Sequence, residues 1–182
     1  MKRLKIIVLS SLLLTQSCER KYSIEIGDNY IINYDSRGNP LYVSKDSVDK
    51  VVYLWGYNHQ YPIAKIENTT YSDVCKKVGN GNETAGKAAL DSIANKVEPS
   101  ASDFATINNL RTQLPNAMIT TYTYKPLVGL LTVTAPGSKT TTYEYDSFGR
   151  LQTIRDHNGK VIEKYDYHYK NWYTNKFPVT FN

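Results

Sequence analysis

The sequence predicts a mainly β fold, built of antiparallel stacked hairpins and interrupted by a short helical insert. Three observations carry this. Tyrosines recur at i, i+2, as in Tyr122/Tyr124, Tyr143/Tyr145 and Tyr165/Tyr167/Tyr169, with Tyr53/Trp55/Tyr57 a variant. That spacing places them on one face of a strand, where aromatic rings fit the pleated surface and cross-strand neighbours cover them. Turns then repeat one grammar: Asp35-Ser-Arg-Gly38, Asp146-Ser-Phe-Gly149 and Asp156-His-Asn-Gly159 each carry Asp first and Gly fourth. Such a pattern suits a type I turn or a bulged hairpin. Finally, composition breaks at 72–121, where Tyr and Trp vanish, Ala clusters, and Phe104 is the only aromatic residue.

Taken in order, strands are expected at 22–26, 30–34, 41–43, 51–57 and 63–66. The insert follows at about 71–115. Ser72–Lys77 reads as a short helix, and Lys76–Glu83, rich in Gly and Asn, as a loop. Thr84–Val97 places Ala85, Ala88, Ala89, Ile93 and Val97 at helical spacing. Ser102 is the expected cap of a further helix whose apolar stripe is Phe104, Ile107, Leu110 and Leu114, with Pro99 and Pro115 as its bounds. The insert holds too few apolar residues for a core of its own. A second β segment is expected at 118–125, 128–134, 139–146, 150–156 and 160–169, punctuated by Pro126 and Pro136-Gly137. Tyr-Asp recurs as a unit at Tyr34-Asp35, Tyr145-Asp146 and Tyr165-Asp166, which makes Tyr145 and Tyr165 equivalent, buried positions. The aromatic tail at 171–182 lacks this grammar.

The first residues read as an export signal and leave the fold argument. Lys2, Arg3 and Lys5 precede the apolar run Ile6–Leu14, and Cys18 follows. That run is too short to cross a bilayer core of about 30 Å, which takes about 20 residues. Domains are therefore 1–17, signal, and 18–182, one β domain with its insert. Losing three cations and no acid takes the formal charge from +5 to +2. The remaining Lys and Arg are scattered, which argues against a nucleic-acid partner. Removal of the signal also leaves Cys75 without a cysteine to pair with if Cys18 is modified; burial as a small apolar side chain is the expected fate, a reactive thiol the alternative.

The segment ending at Cys18 resembles the lipobox of bacterial lipoproteins, with small Ser17 before the cysteine and Thr15 where Leu is usual. The resemblance implies cleavage before Cys18, acylation there, and anchoring to the bacterial cell envelope, at the outer membrane or cell surface; plain signal cleavage is the alternative. Further along, Asn33-Tyr-Asp-Ser-Arg-Gly-Asn39, Trp55-Gly-Tyr57, Thr121-Tyr-Thr-Tyr-Lys-Pro-Leu-Val-Gly129 and Tyr143-Glu-Tyr-Asp-Ser-Phe-Gly-Arg-Leu151 resemble the RHS/YD-repeat proteins of bacteria. The resemblance implies that Tyr34, Asp35, Gly38, Tyr145, Asp146, Gly149, Arg150, Tyr165 and Asp166 are structural residues of such repeats. It also implies a repeat-scaffold fold and a cell-envelope setting. Large members enclose a toxin in a hollow β-shell; two or three repeats cannot, and the self-cleaving core motif Asp-Pro-x-Gly is not in this sequence.

Residue chemistry suggests no enzyme, cofactor or metal centre. The histidines, His59, His157 and His168, lack metal-ligand spacing and are expected at the surface. Asp156 and Asn158 are explained by turn formation. One feature could bind a ligand: Trp55, Tyr57 and Tyr61 would form a platform for sugar rings if exposed, or pack repeats together if not. Three functions remain open: a lipid-anchored scaffold contacting surface proteins, a carbohydrate-binding module, and an accessory or immunity-like partner of a larger RHS toxin system.

Overall fold

The computed structural model describes residues 30–46 and 48–168. The expected strand at 22–26, the Cys18 segment and the aromatic tail lie outside the described residues. Among the described residues nine strands form one antiparallel sheet: β1 (Tyr30–Tyr34), β2 (Pro40–Lys45), β3 (Asp49–Gly56), β4 (Tyr61–Glu67), β5 (Met118–Lys125), β6 (Gly129–Thr134), β7 (Thr140–Tyr145), β8 (Leu151–Arg155) and β9 (Val161–Lys164). Their spatial order is their sequence order. Between β4 and β5 the chain makes three helices, α1 (Tyr71–Val78), α2 (Glu83–Ala94) and α3 (Ala101–Gln113), and then returns to pair β5 with β4. Among the described residues no helix is long and apolar enough to cross a membrane.

The helices cover one face of the central strands. Val52 pairs with Ile66, and Ile66 with Ile119; Leu54 pairs with Ala64, and Ala64 with Thr121. All six are buried. Strand alternation sends Tyr53, Lys65 and Thr120 to the other face. Over the first face lie Val74 and Cys75 of α1, Leu90 and Ile93 of α2, and Ile107 and Leu110 of α3, in one continuous core. Cys75 is therefore a core side chain.

Helix ends and phases differ from expectation in two places. The α3 cap is Ser100, not Ser102: Ser100 accepts from the Asp103 N–H while the Asp103 carboxylate accepts from the Ser100 N–H, a reciprocal capping box. Lys96 Nζ donates to both Asp103 carboxylate oxygens at 2.8 and 2.7 Å, tying the α2–α3 connection to that cap. In α2 the buried stripe is Gly86, Leu90, Ile93 and Ala94, whereas Ala85, Ala88, Ala89 and Val97 face solvent. The helix is turned by about one residue from the alanine stripe. Gly86 sets that phase, because the α1 backbone at Cys75 lies against its Cα.

Beyond the helices the inner face continues as threonine. Thr123 and Thr132 share a hydroxyl–hydroxyl hydrogen bond of 2.6 Å, and Thr134 and Thr140 one of 2.9 Å. Further out Arg155 Nε donates to Glu144 at 2.8 Å. Cross-strand polar pairs satisfy one another there, so this half of the sheet stands as a single layer with most side chains half-buried.

Four hairpins repeat one hydrogen-bond pattern. In the β1–β2 turn the Asp35 N–H donates to Asn39 O and the Gly38 N–H to Asp35 O; Asp146/Arg150/Gly149 and Asp156/Lys160/Gly159 reproduce it between β7, β8 and β9. The aspartate side chain explains its recurrence. Asp35 Oδ1 accepts from the backbone N–H of Arg37 and Asn39, Asp146 Oδ1 from Phe148 and Arg150, and Asp156 Oδ1 from Asn158 and Lys160. Each carboxylate thus ties down two donors inside its turn. Between β6 and β7, Ala135 and Ser138 make the backbone bonds without the carboxylate, and Ser138 carries the positive φ of 59°.

Gly38 has φ 88° and Gly149 φ 76°, and neither has crowding that a side chain could not tolerate. Conformation alone selects glycine. Gly38→Val and Gly149→Val should each cost on the order of 1–3 kcal/mol, read as a shift in the denaturation midpoint; wild-type midpoints for both would overturn this account of the turn.

Candidate functional site

Three consecutive non-glycine residues, Tyr57, Asn58 and His59, have φ of 52°, 58° and 63° in the connection from β3 to β4. A left-handed turn of L-residues costs roughly 1–2 kcal/mol per residue, and such strain survives only where the surroundings over-determine it. Here they do. The Asn58 N–H donates to Lys96 O at 2.7 Å and the His59 N–H to Ala94 O at 2.9 Å. These carbonyls belong to the open C-terminal end of α2, so the strained turn acts as its cap.

The same turn receives the first Tyr-Asp turn. His59 Nδ1 lies 2.9 Å from Asp35 Oδ2, with both side chains buried. Asn39 Nδ2 donates to His59 O and to Asp35 Oδ2, and Arg37 donates to Asn58 Oδ1 at 3.2 Å. Burial works against the Asp35 charge, but the donors from Asn39, His59 and Arg37 outweigh it and hold its carboxyl below the usual aspartate value. On the far side of the imidazole, Nε2 lies 4.0 Å from Asp91 Oδ1 of α2. A cavity of about 50 Å³ opens between these groups, with Ser36, Trp55, Tyr71 and Leu90 among its walls. Among the described residues no three metal-ligating side chains converge.

His59 was expected at the surface and is instead buried beside Asp35, because the strained turn folds it beneath the β1–β2 hairpin. His157, in its turn, and His168 are exposed. The three aromatic residues of the possible sugar platform differ in cover. Tyr57 is buried; its hydroxyl donates to Tyr124 O at 3.1 Å and accepts from the Tyr124 N–H at 2.9 Å. Tyr61 stacks on Tyr124 with ring centroids 4.8 Å apart, and Tyr57 meets both rings edge-on. Burial pushes the Tyr124 phenol up to about 12. Trp55 is half-buried and donates its indole N–H to Pro40 O at 2.9 Å. These contacts tie the β3–β4 end to β2 and β5.

Tyr145 and Tyr165 are not equivalent. The half-buried Tyr145 donates its hydroxyl to Leu130 O at 2.9 Å across Gly129. Its counterpart is Tyr167, whose hydroxyl donates to Leu151 O at 2.7 Å while the Arg150 guanidinium lies 4.3 Å over its ring. Tyr165, just past β9, is exposed, 40% accessible, and its hydroxyl turns back to Glu163 of that strand. Asp166 lies near Lys164 at 3.5 Å, and any turn after it falls outside the described residues. Tyr34 sits half-buried at the register shift that leads into the Asp35 turn.

Residues 128–161 match the family model of the RHS repeat. That stretch is similar to an RHS repeat. No curated protein matches it. The matched RHS repeat runs from the β5–β6 turn to the start of β9 and holds both the Asp146 and Asp156 turns. The Asp35 turn makes the same bonds outside the matched residues, so this turn grammar reaches the other end of the sheet. RHS repeats typically occur in cell-surface or exported proteins.

Proposed function

We propose that this chain is a non-enzymatic RHS-repeat interaction scaffold of the bacterial cell envelope, anchored by lipid at Cys18. One observation supports the interaction reading above others. Leu127, 96% exposed, and Phe148, 79% exposed, stand at neighbouring hairpin ends, where a Cβ added at Gly149 would lie 3.7 Å from a Val128 methyl. Leu127 also holds φ 64°, a strained conformation in which its side chain gains no cover. Large apolar side chains presented together support a reading of these ends as a contact surface for another protein. A sugar-binding reading that uses Trp55, Tyr57 and Tyr61 is not favoured, because their rings are engaged within the fold.

Two experiments test the two parts. The wild-type protein expressed with its N-terminus should partition into detergent, and Cys18→Ser should move it to the aqueous phase. An intact mass showing an unmodified mature N-terminus would remove the anchor. For the contact surface, Leu127→Ser with Phe148→Ser should keep the unfolding free energy within about 0.5 kcal/mol of wild type yet lose proteins cross-linked at the cell surface. Unchanged cross-linking in that double variant would reject these hairpin ends as the interface.

A further inference from the structure

We propose that the cavity between the β1–β2 hairpin and the first turns of α1 and α2 binds a small saccharide, held among Asn33, Tyr34, Tyr42, Tyr71, Glu83 and Lys87. These side chains line a space of about 260 Å³. Sites for drug-sized ligands begin at roughly 300 Å³, so this one suits a single sugar ring. Asn33 and Tyr42 pair directly across β1 and β2, and Tyr42 pairs with Val52, which puts all three on the face that the helices cover. The register shift after Asn33 breaks the alternation, and Tyr34 lines the same cavity. Tyr42 and Tyr71 pack against the core, so their rings are held before any ligand arrives.

The chemistry of the walls selects the class of ligand. Ser72 Oγ donates to Glu83 Oε2 at 2.6 Å, and Lys87 Nζ lies 3.3 Å from Oε1. These two contacts hold the Glu83 carboxyl below its usual value, so it is ionised near neutral pH. A carboxylate has about four lone-pair sites, which leaves room for ligand hydroxyls to donate. Glu83 and Lys87 are the charges among the lining groups and offset each other, so nothing favours an ion of either sign. The Asn33 amide and the hydroxyls of Tyr34 and Tyr42 have no hydrogen-bond partner among the described residues. Each of these groups both donates and accepts, as a sugar hydroxyl does, and the tyrosine rings offer flat faces to the C–H side of a pyranose. A hydrocarbon would fit worse. Among the described residues Leu41 alone adds an aliphatic side chain to the lining, and the polar groups would lose water without a partner.

This cavity shares no residue with the Leu127 and Phe148 hairpin ends, so either reading can fail without the other. The test is NMR titration of the purified chain with glucose, galactose, mannose, N-acetylglucosamine and glucuronate, each added separately. At least one sugar should bind saturably, with the signals of Asn33, Tyr34, Tyr42 and Lys87 shifting first. Asn33→Ala combined with Tyr42→Phe should weaken that binding at least tenfold. Both changes remove groups without a partner in the free protein, so the denaturation midpoint should stay at its wild-type value. Lys87→Ala, a change on the surface of α2, should lose affinity as well and decides the matter if the double variant folds poorly. Tyr61→Phe, outside the cavity, should bind as wild type does. Failure of every sugar to bind, affinity unchanged in folded variants of the cavity, or an equal loss in Tyr61→Phe would each overturn the proposal.

Discussion

Gly86→Ala is expected to destabilise the protein by at least about 3 kcal/mol. On an exposed helix the same change stabilises by about 0.5–1 kcal/mol, because alanine loses less backbone entropy than glycine. Here the added Cβ would stand 2.6 Å from the carbonyl carbon of Cys75 and closer still to its oxygen. The obstacle is backbone, so no side-chain rotation relieves it. Only separation of α1 from α2 would, and that would uncover Val74, Cys75, Leu90 and Ile93 in the core. Chemical denaturation measures the sign directly. A midpoint at or above wild type would mean that the helices do not cross at this contact. Ala89→Gly, on the solvent face of the same helix, supplies the control and should cost only about 1 kcal/mol.

Asp35→Ala should cost about 3–5 kcal/mol. It leaves the Arg37 and Asn39 N–H groups, Asn39 Nδ2 and the buried His59 imidazole without their acceptor, and it releases the clasp that holds the left-handed turn. The carboxyl also predicts acid sensitivity. Its folded value lies below the ordinary aspartate value of 3.8, so its contribution to stability is complete above the unfolded value and fades as pH falls through the folded one. Wild type should therefore lose stability on acidification from about pH 5 downward, and Asp35→Asn should lose less over the same range. Parallel acid limbs for the two proteins would show that Asp35 is not the group responsible. Asp103, also held low against its burial by Lys96 and the α3 cap, contributes to the limb both proteins share.

The sheet was legible in the sequence because its signals are local. Tyr-Asp with glycine three residues after the aspartate reports a turn whose bonds all lie within five residues, and period-two tyrosines report a pleated strand. The helical insert was legible from the loss of aromatics and from Pro99 and Pro115. What escaped depends on partners distant in the chain. Nothing in Tyr57-Asn58-His59-Gln60 announces three positive φ angles without glycine, since their cost is offset by carbonyls of α2 and by Asp35, over 20 residues away in either direction. The phase of α2 was lost for a similar reason: an alanine stripe looks apolar, but the requirement of α1 for a residue without Cβ outranks it. Tyr165 and Tyr167 share one periodicity. Which of them reaches back to the preceding hairpin depends on a hydroxyl–carbonyl contact that no spacing encodes.

Strand order that equals sequence order has a consequence for how this chain folds and how it can change. Each described strand pairs with its immediate predecessor, usually across a turn of only a few residues, so most of the sheet can zip from one hairpin to the next with little loop entropy to overcome. The pairing of β4 with β5 is different, for it must close over the whole insert. Folding should therefore divide into rapid growth on either side and a slower event that joins them, paced by the helices. Growth at the β9 margin meets no such barrier. A further hairpin appended there would use an existing strand as template and disturb none of the registers already made, so the length of this sheet can vary by whole repeats while its anchored core stays the same.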